Sequence, residues 1–243
     1  MSYSFATMEA KGAYALVDVC GKGFLDAELH SDMKLEIEHL EFHNSCSLSD
    51  IEVCNISNGL VNLDELVVYS FSSVTDQGYE TFFRNVKQLR AIHICEDQFT
   101  DATFEIMAKH CSQLRNVVIE SHGSRLTDRA MEAFVKYETP LVSLVILPSD
   151  HISSDSIGRL VAKCKTLETL GYAGCLSTGT MVAIANSSVD HLMVPEKCIS
   201  NADCDVVLPA LSSLRITQLD AELVGNLMWR LDPYGMELVD PME

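Results

Sequence analysis

The sequence lacks long apolar runs, has few aromatic residues and carries no excess of basic charge. A membrane-spanning helix needs about 20 consecutive apolar residues, and no segment of the chain provides them. The first residues also lack the charged start and continuous apolar stretch of a signal peptide. These absences predict a cytoplasmic or nuclear protein that does not associate with membranes.

Basic charge is scarce relative to acidic charge. The chain has 35 acidic and 17 basic residues and a formal net charge of −18. A surface of this sign repels phosphate backbones. The composition therefore predicts no nucleic-acid binding, and it is compatible with a protein partner that has a basic surface.

Closely spaced cysteine or histidine ligands are also missing. The nine cysteines are scattered without a CxxC pair, which favours free thiols over a disulfide framework. His39 and His43 are close in sequence, but no third ligand accompanies them. No phosphate-binding or dinucleotide-binding motif occurs. We therefore expect no metal, no cofactor, no catalytic residues and no small-molecule substrate, and so not an enzyme.

What the chain does have is an internal repeat. The template Φ-x-x-Φ-x-Φ, with Φ apolar, recurs nine times at intervals of 22 to 27 residues. Its first apolar positions are Tyr14, Ile37, Leu63, Leu89, Leu114, Leu141, Leu167, Val189 and Leu211. In the weaker terminal copies the template reads Tyr14, Val17, Val19 and Leu211, Leu214, Ile216.

The last two apolar positions of each copy point to one side of a short strand, because strand side chains alternate. A polar turn and a segment of helical periodicity follow each copy. This predicts an α/β leucine-rich-repeat solenoid (a horseshoe), with parallel strands on its concave face and helices on its convex face. We expect an N-terminal cap and weak first repeat at 1–36, leucine-rich repeats at 37–219, and a C-terminal cap helix and tail at 220–243.

A threonine and an aspartate recur after the strands. Thr75, Thr100 and Thr127 are each followed by an aspartate and preceded by an apolar residue. Threonine caps helix N-termini, an acid suits the positive end of the helix dipole, and the apolar residue packs back as a staple. The motif therefore predicts helix starts rather than a chemical site.

Candidate binding residues lie between the framework positions, on the side of each strand that faces away from the helices. Several of them are apolar where solvent is expected, which indicates a partner-binding strip. Strand preference of valine, or cover by the C-terminal tail, would also explain the apolar residues. The predicted partner-binding residues are Glu41, His43, Val67, Tyr69, His93, Val118, Glu120, Val145, Leu147 and Met193.

The repeats resemble the cysteine-containing subtype of leucine-rich repeats. Cys111 and Cys164 precede a framework leucine as in that subtype, and Cys46, Cys175 and Cys198 occupy its later cysteine position. Relatives with this repeat are F-box substrate receptors of ubiquitin ligases and the antagonist of mitotic exit network family. The 36 residues before Ile37 carry no F-box pattern.

Two segments have a second interpretation. Leu16, Cys20 and Phe24 are similar to an elongin-binding box, although Gly21 and Gly23 would weaken its helix. The alternative is the weak first repeat. A helical run from Ala221 to Leu231, with Trp229, is expected to cap the last repeat, and a docking peptide is the alternative.

The resemblance implies a non-catalytic protein–protein interaction module, an adaptor or substrate-receptor-like protein in ubiquitin-dependent or cell-cycle regulation. The alternative is a structural subunit or assembly factor of a larger complex, in which the same face is permanently covered. Repeats are scaffolds, so the fold alone does not decide between them.

Overall fold

The computed structural model describes residues 14–18, 37–43, 48–69, 73–95, 99–120, 125–147, 151–195 and 214–218. Strands and helices alternate along these ranges. The strands are β1 Tyr14–Asp18, β2 His39–His43, β3 Glu65–Val68, β4 Ala91–Ile94, β5 Asn116–Ile119, β6 Ser143–Ile146, β7 Thr169–Tyr172, β8 His191–Val194 and β9 Arg215–Gln218. The helices are α1 Asp50–Ser57, α2 Asp76–Asn85, α3 Asp101–His110, α4 Asp128–Lys136, α5 Ser154–Lys163 and α6 Thr178–Ala185.

All nine strands form one parallel sheet in sequence order. The register aligns equivalent template positions, so Leu66 pairs with Ile92 and Ile92 with Val117. The sheet is open, and successive helices pack against one another along one side of it. This is the predicted α/β solenoid of leucine-rich-repeat type, which confirms the fold class.

The core lies between the sheet and the helices. Framework residues such as Leu66, Val117 and Ile146 are almost fully buried there. Several of the described aromatic residues lie in the same layer and join neighbouring repeats. The ring of Tyr79 lies 4.7 Å from that of Phe99, which is followed by Phe104 at 6.1 Å. Since one repeat cannot bury its own apolar face, these contacts supply the stabilisation that stacking provides.

The two terminal copies pair in a different register from the one their template predicts. Ile216 pairs with Leu192, and Arg215 therefore aligns with His191 rather than with Met193. At the other end Ala15, not Val17, pairs with Leu40. A shift of two residues keeps every side chain on the same face, so apolar alternation alone cannot separate the two registers.

The strand β1 extends through Leu16 and pairs with β2. This part of the proposed elongin-binding box is therefore extended rather than helical, as a first repeat requires. Cys20 and Phe24 lie outside the described residues, and so do the segment Ala221 to Leu231 and Trp229. The domain boundaries stay predictions.

The predicted helix caps are confirmed. The hydroxyls of Thr75, Thr100 and Thr127 each accept a hydrogen bond from a backbone N–H in the first turn of the helix that follows. The apolar residues before them are buried, Leu126 completely. Ser49 and Ser153 cap α1 and α5 in the same way. The stretch from Ile199 to Asn201 is a sequence variant of the same cap motif, and it lies outside the described residues.

The aspartates have a further role, because each binds the cap of the next repeat. Asp101 accepts hydrogen bonds from the Thr127 N–H at 2.8 Å and the Thr127 hydroxyl at 2.6 Å. Asp128 accepts from the N–H and hydroxyl of Ser153 at 2.7 and 2.8 Å. Burial alone would raise the pKa of Asp128, but the hydrogen bonds from Ser153 lower it overall. These acids therefore connect neighbouring repeats as well as suiting the helix dipole.

The described cysteines are free thiols, as expected. Cys111 and Cys164 occupy the equivalent C-cap positions of α3 and α5, and their sulfurs approach carbonyl oxygens of the preceding repeat at 3.8 and 3.4 Å. Burial raises the pKa of Cys111 to about 12. This position is therefore a packing position. Cys46 and Cys198 lie outside the described residues.

None of the helices in the described part of the chain is both long enough and apolar enough to cross a bilayer.

Candidate interaction face

The concave face is the side of the sheet opposite the helices, and three columns of side chains run along it. The register defines them strand by strand. The first column is His39, Glu65, Ala91, Asn116, Ser143, Thr169 and His191. The second column is Glu41, Val67, His93, Val118, Val145, Gly171 and Met193. The third column, at the strand ends, is Tyr69, Cys95, Glu120, Leu147, Ala173 and Pro195.

The second column is buried, which corrects the expectation of a solvent-exposed strip. Val67, Val118 and Met193 are only 7%, 6% and 2% exposed, and Glu41, His93 and Val145 are also buried. Neighbouring parallel strands lie about 4.8 Å apart, so in-register side chains of one column lie against one another. The alternation of the strands predicted the correct face but not its burial.

The C-terminal half of the face contains an apolar cluster. Val118, Val145, Leu147 and Met193 form a buried cluster of their own, separate from the main core, with Ala173 packed against it. Gly171 interrupts the second column, and its neighbours occupy the space. A Cβ at Gly171 would lie 2.9 Å from Val145 Cγ1 and 3.2 Å from Met193 Cε. The cluster is therefore packed to contact.

The third column is more accessible. Tyr69, Cys95, Glu120, Ala173 and Pro195 are half-buried, whereas Leu147 is buried. His43 lies in β2, at the third-column position by register, and its side chain is outside the described set. Of the predicted binding residues, Tyr69 and Glu120 are thus the ones that retain substantial exposure.

The N-terminal half of the face is polar and partly charged. His39 Nδ1 lies 2.7 Å from Glu65 Oε2, and His39 Nε2 lies 4.0 Å from Glu41 Oε2. Burial by itself would lower the pKa of His39, but hydrogen bonds to Glu41 and Glu65 and their charges outweigh it and raise the pKa to about 9. His39 is therefore a cation at neutral pH, held between two buried carboxylates.

Tyr69 lies beside this group. Burial raises the pKa of the Tyr69 phenol to about 12, with further contributions from Glu41, Cys95 and Glu120. The phenol is thus a neutral hydrogen-bonding group at physiological pH. The sequence identified Tyr69 and Glu41 as neighbours on the face but gave no sign that they share one electrostatic environment.

His93, Cys95 and Glu120 converge at the middle of the face. His93 Nε2 lies 3.2 Å from Glu120 Oε2 and 3.2 Å from Cys95 Sγ, and Cys95 Sγ lies 3.5 Å from Glu120 Oε2. Both partners approach the same nitrogen, whereas a thiol–imidazole–carboxylate relay uses the two ring nitrogens. Burial and the Glu120 carboxylate also raise the pKa of Cys95. The trio therefore does not provide an activated thiolate nucleophile.

Two features of the site escaped the sequence reasoning. His93 and Cys95 lie in different columns, and Glu120 is a full repeat away, so the sequence alone did not indicate their convergence. The sequence pattern that marks this cluster is a His-x-Cys pair in one strand, with an acidic residue one repeat later in the column of the cysteine. His39 was similarly considered with His43, whereas the structure joins it to Glu41 and Glu65.

Comparison with known proteins does not assign this chain to a family. No family model matches the sequence, and no curated protein matches it. Solved structures do match, among them the crystal structure of the Rad7 and Elc1 complex in yeast, with 15% identity and a TM-score of 0.34. The match covers 78% of this chain and 65% of that chain, so this chain spans less than two thirds of its length. A likeness this distant carries no argument about function.

Proposed function

We propose that the chain is a non-catalytic interaction module that holds a protein partner on its concave face. The observation that carries this proposal is the third column. Tyr69, Cys95, Glu120, Ala173 and Pro195 present half-exposed side chains at the ends of an uninterrupted row of strands. Solenoids commonly bind partners along such extended surfaces. The buried second column then serves as a rigid support for the third.

The chemistry of the face indicates the kind of partner. Among the described residues, its N-terminal half carries the carboxylates of Glu41 and Glu65 with the cation of His39, and its middle carries Glu120. The whole chain has a net charge of −18. A partner with basic side chains would be attracted to this half and oriented by it. Its apolar residues would contact Ala173 and Pro195. Glu120 and Ala173 are therefore the side chains to test.

We assign the repeats to the cysteine-containing subtype and propose an adaptor or substrate-receptor-like role in ubiquitin-dependent or cell-cycle regulation, in the cytoplasm or nucleus. Support comes from Cys111 and Cys164, which occupy equivalent C-cap positions two repeats apart in the solenoid. The second candidate is a structural subunit or assembly factor. In that case the third column would be permanently covered by a neighbouring subunit.

The test is quantitative affinity capture with face-matched variants of the full chain. Ala173→Glu places a charge on the concave face, and Val182→Glu places one on the exposed surface of α6. Glu120→Lys and Glu132→Lys form a second matched pair, because Glu132 is an exposed residue of α4. We expect the concave variants to lose specific partners about tenfold or more and the helix-face variants to keep them.

Partners that survive both concave variants would contradict the proposal. The two candidates separate by stoichiometry. A partner recovered in a fixed ratio, with no free pool of the chain, favours the structural subunit. A free monomer that acquires its partner on demand favours the adaptor.

A further inference from the structure

The cluster of His93, Cys95 and Glu120 is built by two adjacent strands. His93 and Cys95 are two residues apart, so the extended chain places both on the concave side. Glu120 follows β5 in the column of Cys95, directly beside it. Within the described ranges no other group of three histidine, cysteine or acidic side chains brings its ligand atoms this close, all within 4.8 Å of one another.

The three separations match those of ligands around one tetrahedral ion. Zinc bonds of about 2.0 Å to nitrogen, 2.3 Å to sulfur and 2.1 Å to oxygen imply ligand–ligand distances of roughly 3.4 to 3.6 Å at the tetrahedral angle. The observed distances are 3.2 Å for both contacts of His93 Nε2 and 3.5 Å between sulfur and oxygen. Movements of a few tenths of an ångström would complete the geometry.

The three atoms form a closed triangle. The Cys95 thiol donates to Glu120 Oε2, and the same oxygen can accept from a protonated His93 Nε2, so hydrogen bonds hold the cluster together. Loss of these two hydrogens would turn the three atoms into ligand atoms that surround one ion. A histidine that is 3% exposed would hold such a centre firmly, and the half-buried Cys95 and Glu120 leave a path for an ion.

We propose that His93 Nε2, Cys95 Sγ and Glu120 form a site for a zinc-like divalent cation on the concave face. Nitrogen and thiolate ligands favour Zn²⁺ over Mg²⁺ or Ca²⁺, which prefer oxygen. On binding, the Cys95 S–H bond breaks, sulfur keeps the electron pair and bonds to the metal, and the proton passes to solvent. Three protein ligands leave the fourth position to water.

The test uses the full chain, stripped of metal by chelation and titrated with Co²⁺ as a spectroscopic probe. Tetrahedral cobalt bound to a thiolate gives visible d–d bands and a near-ultraviolet sulfur-to-cobalt charge-transfer band. We expect one cobalt per chain, displaced by one equivalent of Zn²⁺. Equilibrium dialysis with Zn²⁺ alone gives the affinity independently of colour.

Cys95→Ser should abolish the charge-transfer band. It should weaken zinc binding by more than the roughly 10–100-fold expected for loss of an outer partner. Glu120→Gln should weaken binding while keeping the band, which preserves the test if Cys95→Ser does not fold. Cys175→Ser and Cys54→Ser are the matched controls, because both thiols lie elsewhere in the fold.

The inference would be overturned if folded wild type bound no stoichiometric metal. The same holds if the bands persisted in Cys95→Ser, or vanished in either control variant. None of these outcomes depends on a protein partner. Failure of the metal site is therefore distinguishable from failure of the interaction module, which the capture experiment tests with Ala173→Glu.

Discussion

The two halves of the concave face are built on the same backbone ladder but are held together by different forces. In the N-terminal half, His39, Glu41 and Glu65 satisfy one another by charge and hydrogen bonds. In the C-terminal half, Val145 and Met193 fill space around Gly171 without any polar group. The stability of the N-terminal half should therefore depend on pH and charge, and that of the C-terminal half on side-chain volume. One repeat template thus accommodates two kinds of stabilisation.

The largest loss of stability is expected when a charge is placed in the apolar cluster of the C-terminal half. Val145→Asp places a carboxylate among Val118, Leu147 and Met193, where Val145 is 3% exposed. A buried charge without a partner is costly, so we expect the free energy of unfolding to fall by about 3 kcal/mol or more. Urea denaturation measures it. Val182→Asp on exposed α6 is the control, and an equal loss there would refute the comparison.

A smaller effect is expected from removing the cation of the first half. The folded pKa of His39, about 9, lies above its ordinary value of 6.5. Protonated His39 therefore stabilises the fold fully below about pH 6.5, and this stabilisation is lost as the pH rises through about 9. Discounted for partial exposure, it should be on the order of 2 kcal/mol.

Urea denaturation of His39→Gln across this range gives the measurement. The wild type should lose stability relative to the variant as the pH rises, and the difference should nearly vanish above the pKa of His39. His151→Gln, at an exposed position, is the matched control. Parallel pH profiles for wild type and His39→Gln would show that the first half is not held by this charge.

The packing of the apolar cluster in the C-terminal half can be tested by adding a single methyl group. Gly171→Ala would bring its Cβ into close contact with Val145 and Met193, and overpacking of this kind costs about 1 to 2 kcal/mol. Met193→Val should relieve part of that loss, which a double-mutant cycle detects. Gly179→Ala in α6 meets only Ser177 Oγ at 3.9 Å and should be neutral or stabilising. Strictly additive effects would count against the packed cluster.

The smallest effect concerns a feature that both halves share. Asp50 binds the N–H and hydroxyl of Thr75, and Asp128 binds those of Ser153, at 2.6 to 2.8 Å. Replacing either aspartate by alanine should cost about 1 kcal/mol, since a cap loses its partner in each case. Thermal denaturation should show similar losses. A clear difference between the two losses of stability would mean that the two halves also differ on the helix side of the sheet.

The sequence predicted the features that depend on local pattern. Period and alternation gave the parallel sheet, and the recurring threonine gave the caps at Thr75, Thr100 and Thr127. It did not predict the burial of Val118 and Val145, because alternation gives the face on which a side chain lies but not what packs against it. It also missed the register of Ile216, since a two-residue shift preserves every face.

Contacts between repeats were the other omission. The hydrogen bond from Thr127 to Asp101 and the convergence of His93 with Glu120 join residues more than 25 positions apart. A single sequence shows such pairs only once the register is known. A regular period places equivalent positions of successive repeats side by side, so it restricts which residues can pair. The exact pairing became known only from the register of the sheet.

The aspartate that binds the next cap also makes the junctions between repeats interchangeable. Deleting residues 101–127 would join Thr100 directly to Asp128 and recreate the same threonine–aspartate pair. Asp76 would still bind Thr100, and Asp128 would still bind Ser153. Loss or duplication of one such cassette therefore leaves no unmatched junction. Recombination can therefore lengthen or shorten the solenoid by whole repeats. Each remaining repeat still binds the one that follows it.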